Sequence, residues 1–406
     1  MNRNVVFLAM SQALMMSGMS MMLTTAALTG QSLIEQRWLS TLPVAALFIA
    51  MMLTSLPAAW LMGRIGRKRA FGLGALFAIA GAGVAAIAIL EQEFWWFVAG
   101  SALIGIYNGF GNHYRFAAIE VVKKDQKNRA VSLVIAGGVI SALVGPNLAG
   151  WTHNMIPAFP FAGSYAALTG LYCLSILALV FIRFPSQERN NVSASRIGDI
   201  PRRPFLRQPA VITAMICGMF GYGVMNLLMT ATPLAMSHHN HAFADTVFVI
   251  QWHALGMFAP AFFTGYLIDR LGIWNILTTG ALLGVGCVVI NLAGNTLWHY
   301  WAALLLVGVS WNFLFIGATI LLTDHGHPQE REERARLQAI NDFAVFSTVT
   351  LAALSSGALQ ASYGWRVVNM GVLPFLLVIL VFLLWFKLHA HGGEYHQIPE
   401  SARIDL

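Results

Sequence analysis

Charge is scarce in this sequence. Only 10% of its 406 residues are Asp, Glu, Lys or Arg, while 57% are hydrophobic; a soluble domain carries about 25% charged residues. Covering a water-soluble protein of this length needs far more polar surface than 24 basic and 17 acidic side chains supply. A soluble enzyme is therefore excluded, and a lipid bilayer is the implied solvent. Cysteine is scarcer still. Cys173, Cys217 and Cys287 lie in separate apolar runs without C-x-x-C spacing, which argues against a disulfide framework and a zinc site. The chain also lacks G-x-x-x-x-G-K-[ST], H-E-x-x-H and G-x-S-x-G. Direct use of ATP and an intramembrane hydrolase are thus both unsupported, and no cofactor or metal is expected.

What the chain does have is apolar runs of membrane-crossing length. A hydrocarbon core about 30 Å thick takes roughly 20 apolar residues per helix. A hydropathy window places spans at 5–29, 39–62, 70–90, 94–118, 131–151, 163–183, 210–233, 245–268, 275–294, 298–322, 339–361 and 368–388. The first run continues past Ala26 without a small-residue cleavage site, so it reads as a span and not as a removed signal. With the N-terminus inside, 21 of the 24 basic residues fall in cytoplasmic segments; Arg37 and Arg366 fall outside, and Arg115 lies within a span. The positive-inside rule then puts both termini in the cytoplasm. The net charge of +7 is explained by topology, so no nucleic-acid partner is needed.

The longest polar connection, FPSQERNNVSASRIGDIPRRPFLRQP, divides the chain into 1–183, a cytoplasmic linker 184–209, 210–388 and a tail 389–406. A single offset of 206 residues superposes Thr24 on Thr230, Leu28 on Leu234, Ala59 on Gly265, Arg64 on Arg270, Gly66 on Gly272 and Trp95 on Trp301. Gly150-Trp151 and Gly364-Trp365 pair near the ends of spans five and eleven. One offset held over six spans indicates a parallel duplication of a six-helix unit.

Between spans two and three stands Ala59-Trp-Leu-Met-Gly63-Arg64-Ile-Gly66-Arg67-Lys68-Arg69, and between spans eight and nine Gly265-Tyr-Leu-Ile-Asp269-Arg270-Leu-Gly272. These resemble the G-x-x-x-D-R-x-G-R-[RK] loop of the major facilitator superfamily, with Gly63 in place of the Asp in the first copy. Span five carries Gly145-Pro146-Asn147-Leu148-Ala149-Gly150, which is similar to the G-P-x-x-G-G motif of that superfamily's drug/proton antiporters, with Ala149 replacing a Gly. The resemblance covers the whole chain. It implies an all-α polytopic fold of twelve transmembrane helices in two six-helix bundles, and gating by Arg64, Gly66, Arg67, Gly145, Pro146, Gly265, Asp269, Arg270 and Gly272. Asp269 and Arg270 are suited to charge-assisted contacts made in one conformation and broken in the other.

The same resemblance implies that spans one, four, seven and ten line a central cavity. Their polar residues fall at helical spacing: Asn108, Asn112 and Arg115 with Tyr107 beside them, Tyr222 and Asn226, and Asn312 with Trp311 and Phe315. With Trp252, these are the candidate substrate ligands, each amide being open to a helix-to-helix bond instead. Ionisable groups within a membrane default to functional candidates. They are His113, Arg115, Glu120, His253 and Asp342, with His253 and Asp342 favoured for proton coupling and His113 and Glu120 as further candidates. His238-His239-Asn240-His241 reads as a polar outer turn and not as a metal site.

The expectation is a monomeric secondary transporter of a bacterial-type inner membrane. It moves a small neutral or weakly charged aromatic or amphipathic solute by alternating access, as proton-coupled efflux. Proton-coupled import of a vitamin-like or flavin-like nutrient is the alternative, and an intramembrane enzyme the remote one.

Overall fold

The computed structural model describes residues 3–114, 117–118, 121–122, 127–182, 208–324 and 331–390. Among them every regular element is helical and no strand occurs. The helices are α1 (Arg3–Leu33), α2 (Leu42–Ile65), α3 (Arg67–Leu90), α4 (Phe94–Gly111), α5 (Lys127–Thr152), α6 (Ala162–Val180), α7 (Pro209–His238), α8 (Phe243–Phe258), α9 (Ala261–Leu271), α10 (Ile273–Ala293), α11 (Leu297–Asp324) and α12 (Arg331–Ala390), with a 3-10 turn at Arg37–Leu39. Helices are the form in which each backbone group finds its partner inside its own segment, as a hydrocarbon solvent demands.

Eight of these segments are long and apolar enough to cross a membrane, and α8 with α9 adds a ninth, bent by 46°. One of the eight, Ile340–His389, has 50 residues and breaks at Gly364, whose φ of 76° and ψ of 174° leave the helical region. It thus holds two crossings, and α4 and α5 stand where spans four and five are expected. Leu56, Phe262, Leu282 and Leu377 turn outward and are exposed, the arrangement that lipid favours and water opposes.

The duplication is visible in the packing. In the first half α1 packs on α5, α3 on α4 and α6, and α2 on α4. In the second half α7 packs on α12, α10 on α11 and α12, and α8 on α11, which is the same set of neighbours one repeat later. Gly66 and Gly272 carry the same backbone, φ 84° and ψ 154° against φ 85° and ψ 146°. That region is essentially closed to residues with a Cβ, so each glycine makes the turn possible. Gly150 and Gly364, in contrast, are not structural equivalents: Gly150 is helical inside α5, while Gly364 is the break in α12.

One buried cluster gathers residues of the first half together with Val345, Val349 and Ala353; a second is built from residues 210 to 386. The halves meet through α5 on α8 and α2 on α12, two contacts that the repeat relates to each other. Residues 183–207, most of the expected linker, lie outside the described residues, as do 391–406 of the expected tail.

Close approach inside each half depends on glycine. A Cβ added at Gly105 of α4 would run into the backbone carbonyl of Leu47 on α2, and backbone on one side cannot step aside as a flexible side chain would. Gly105→Ala is therefore expected to destabilise the protein by about 1–3 kcal/mol, as overpacking does. Gly72→Ala, where nothing lies within 4 Å, should leave thermal unfolding in detergent unchanged or raise its midpoint, since alanine is the better helix former.

Candidate functional site

At the junction of the halves lies an aromatic cluster. Trp311 and Phe315, one turn apart on α11, stack with centroids 5.0 Å apart and planes 9° from parallel. Tyr222 of α7 stands edge-on to both, at 5.3 Å and 5.7 Å. Phe258 closes on Trp311 at 6.3 Å. Tyr222 packs against both buried clusters, as does Leu23 of α1. The ring of Phe258 lies against Gly138 of α5, where a Cβ would come within 2.8 Å of it. Tyr222, Phe258 and Phe315 are only partly buried, so faces of the cluster stay open. This is a slot of π surface at the meeting place of α1, α5, α7, α8 and α11.

The amides that sequence spacing brings to the same helices are largely engaged with their neighbours. Asn226 donates to the carbonyl of Val349 on α12 at 3.1 Å. Asn312 donates to the carbonyl of Met257 at 2.6 Å and accepts from the Thr264 hydroxyl at 2.6 Å. Met257 and Thr264 flank the bend between α8 and α9, where Pro260 supplies no N–H. Asn312 therefore pins the bend from α11, satisfying a carbonyl that the interrupted helix would otherwise leave bare. Asn108 donates within its own helix to Ile104 at 2.9 Å, and its Oδ1 is buried without a partner. Asn112 is half-buried at the C-cap of α4.

Other candidates sit apart from the slot. Tyr107 is buried inside the first half, bonded to Ser175 at 2.6 Å and Tyr114 at 3.3 Å, with its ring against Tyr172. Trp252 belongs to a separate group with Phe248 and Trp301. His113 reaches the carbonyl of Ser55 on α2 at 3.2 Å. Arg115 and Glu120 lie outside the described residues. Asp342 is exposed on α12. His253 is fully buried between α8 and α11, with Nδ1 2.8 Å from the carbonyl of Leu304. A carbonyl only accepts, so Nδ1 carries the hydrogen and Nε2 keeps a lone pair; that Nε2 is buried without a partner.

The residues of the repeated loop take individual roles. Arg64 lies over the Trp60 ring at 4.1 Å, Arg67 touches the sulfur of Met62 at 3.9 Å, and Lys68 donates to the carbonyls of Val180 and Ile182 at 2.7 and 2.9 Å. Arg270 donates to the hydroxyl of Tyr266 at 3.2 Å, so in this conformation it turns to its own helix and not across the halves. Asp269 is exposed. Nothing lies within 4 Å of a Cβ built at Gly265. At Gly145, by contrast, a Cβ would meet the carbonyl of Ser17 on α1 at 2.6 Å, so the segment around Pro146 is held tight against α1.

Contacts between the halves gather at the ends of the helices remote from the chain termini, and sequence reading did not single them out. Asn147 of α5 donates to Gln251 of α8 at 3.0 Å. His153 and Phe161 of the first half pack on Phe243 of the second, at 4.7 and 5.1 Å. The amide of Gly357 donates to Thr41 at 3.2 Å. These contacts join the two halves at this end of the molecule. A neutral hydrogen bond is worth about 1 kcal/mol, or roughly a fivefold change in an equilibrium. Gln251→Ala should accordingly speed thiol labelling of a cysteine placed at Val247, beneath Gly150, by about fivefold in a Cys173→Ser background. An unchanged rate would show that Asn147 and Gln251 do not hold this end closed.

Comparison with known proteins adds to this geometry. Residues 5–332 match the model of the Major Facilitator Superfamily. The chain is 39% identical over 382 residues to the riboflavin transporter RfnT of Brucella anthropi, covering 94% of this chain and 95% of that protein. It is 24% identical to the uncharacterized MFS-type transporter YddS of Bacillus subtilis, over 95% and 91% of the two chains. It is also 24% identical to the multidrug resistance protein MdtG of Serratia proteamaculans, over 69% and 67%. Two repeats that share one packing scheme, a helical transmembrane architecture and a match over most of the length have one reading: this chain is a multi-pass membrane transporter, not an enzyme, and belongs to the major facilitator superfamily.

Proposed function

We propose that the chain carries a flavin-like vitamin into the cell across a bacterial inner membrane, by alternating access. The observation that carries this reading is the Trp311–Phe315 stack with Tyr222 at its edge, set where the two halves meet. A flat heteroaromatic ring system gains about 1–3 kcal/mol by stacking on an aromatic side chain, and a slot without charge suits a neutral ring better than a phosphorylated one. The likeness to RfnT supports the flavin class. With both termini inside, the contacts of Asn147 with Gln251 and of Phe243 with His153 and Phe161 then close the outer end.

A second reading is proton-coupled efflux of an amphipathic aromatic compound. It is favoured by the antiporter-like segment at Gly145 and Pro146, tight against α1, and by the likeness to MdtG. The two readings share the slot and differ in the sign of coupling. In both, His253 is the proposed proton carrier, because its Nε2 lone pair is buried and unmatched; Asp342 is the second candidate, at the cytoplasmic end of its span.

Proteoliposomes with an imposed pH gradient separate the readings: uptake of riboflavin along the direction of proton entry supports import, and movement against it supports efflux. Trp311→Ala should raise KM for riboflavin about 5- to 150-fold, with Trp311→Phe recovering most of the loss. His253→Asn should remove the response to the pH gradient while leaving exchange of labelled for unlabelled substrate. Retention of gradient-driven uptake by His253→Asn would remove the histidine from the coupling step.

A further inference from the structure

At the end of the second half remote from the termini, away from the aromatic slot, lies a cavity of about 320 Å³. It forms where α7 and α10 end and where α12 breaks at Gly364. His238, His239, Asn291, Tyr363, Trp365 and Arg366 are among its walls, and no carboxylate is among its described lining residues. Arg366 is exposed and makes no ion pair among the described residues. It is also one of only two basic residues that topology sends to the outer face, against the general bias.

The deeper wall is polar and incompletely paired. Asn369 donates through Nδ2 to the carbonyl of Trp365 at 2.9 Å, so its Oδ1 faces Asn291 as an acceptor. Asn291 meets it with Nδ2 at 2.8 Å. This chain of bonds fixes the Asn291 amide and leaves its Oδ1 buried without a partner. The indole N–H of Trp365 is likewise buried and unpartnered; the Trp365 side chain is 5% exposed and Asn291 3%. Unmatched buried polar atoms are uncommon and call for an explanation. His239 binds the carbonyl of Ala235 and the hydroxyl of Tyr300 through Nδ1, both at 2.8 Å, which leaves its Nε2 as the open ring atom. The cavity therefore offers a guanidinium, an indole N–H and imidazole nitrogens together with the oriented amide oxygen of Asn291. Among the described residues no group of three or more His, Cys, Asp or Glu is placed to hold a metal, so the histidines serve another kind of ligand.

We propose that this cavity is a binding site for a phosphate ester that also carries a hydroxyl group. Arg366 takes the phosphate through its planar fork of N–H donors, the geometry in which arginine binds oxyanions bidentately. The Trp365 N–H donates to a second phosphate oxygen, and Asn291 Oδ1 accepts the hydroxyl of the ligand. Such chemistry has two sources here: the glycerol headgroup of an anionic phospholipid in the outer leaflet, which the flanking interfacial aromatics Trp298 and Tyr363 would accompany, or a free organic phosphate outside the cell. The site is separate from the transport slot and does not depend on which solute that slot carries.

The test uses the full-length chain in nanodiscs. Retention of phosphatidylglycerol against phosphatidylcholine is read by native mass spectrometry, and binding of glycerol 3-phosphate by calorimetry in phosphatidylcholine discs. Wild type should bind one of these two probes at least about tenfold more tightly than Arg366→Gln, the loss expected of a charge-assisted bond, with Arg366→Lys in between. Arg366 is exposed, so neither variant should alter the unfolding midpoint. Selective retention of phosphatidylglycerol assigns the headgroup as the source, and binding of glycerol 3-phosphate assigns the free ester. Equal binding of both probes by wild type and Arg366→Gln, or equal retention of the two lipids by wild type together with no binding of glycerol 3-phosphate, overturns the proposal.

Discussion

A backbone N–H or C=O in hydrocarbon has no water to fall back on, and that constraint governs the rest of this structure. It makes every described crossing helical. It also explains how an interruption is tolerated: at the bend between α8 and α9, where a carbonyl is left by its own helix, the Asn312 side chain from a neighbour supplies the bond. Many of the buried hydroxyls turn back to a carbonyl in their own helix, as Ser17, Thr24, Ser101 and Thr232 do. The polar side chains of the interior are thus mostly committed before any ligand arrives, and the surface left over for a ligand is aromatic.

The duplication gives that constraint a mechanical consequence. Two bundles with the same internal packing meet through two equivalent pairings, α5 with α8 and α2 with α12. Inside each half the glycine contacts bring backbone to backbone, as Gly105 does with Leu47 and Gly308 with the carbonyl of His253 at 2.5 Å. Between the halves each of these contacts involves at least one side chain: an amide pair, an aromatic group and the Thr41 hydroxyl that accepts from the Gly357 amide. Backbone contacts resist sliding, and side-chain contacts can be exchanged for others of similar strength. Each half is therefore expected to move as a rigid body about the interface.

Much of this was legible in the sequence, and the reasons for the rest are specific. Span positions follow from hydropathy, so the predicted 70–90 and 275–294 fall within a few residues of Arg67–Leu90 and Ile273–Ala293. The repeated loop marks Gly66 and Gly272 as equivalent positions, while their left-handed turn backbone is a property that only the structure shows. The bend in span eight was not read, although Pro260 marks it, since a hydropathy window averages over the three residues that matter. Pairing Gly150 with Gly364 failed because identical dipeptides 214 positions apart break the 206-residue register. The amides at helical spacing were found, but periodicity names a face of a helix and not what that face meets. Whether Asn226 meets a ligand or the carbonyl of Val349 is decided by the neighbouring helix, which no local pattern encodes. Gln251 lay next to the prominent Trp252 and His253 and was passed over, yet it is the residue that reaches Asn147 across the halves.

If the aromatic slot is the transport site, as proposed, selectivity comes from shape and π surface more than from hydrogen bonding. A site built on buried amides rejects a ligand that leaves them unpaired, but the amides of Asn226 and Asn312 already have partners, and removing those partners would loosen a helix bend or a helix pair. Stacking asks only for a flat ring of suitable width, so a slot made by Trp311, Phe315 and Tyr222 tolerates variation at the periphery of its ligand while requiring planarity at the centre. The proposed import and efflux readings can therefore share one slot. They would then differ in how the slot is reached and in what drives the exchange, that is, in the side-chain contacts at the two ends and not in the aromatic floor itself.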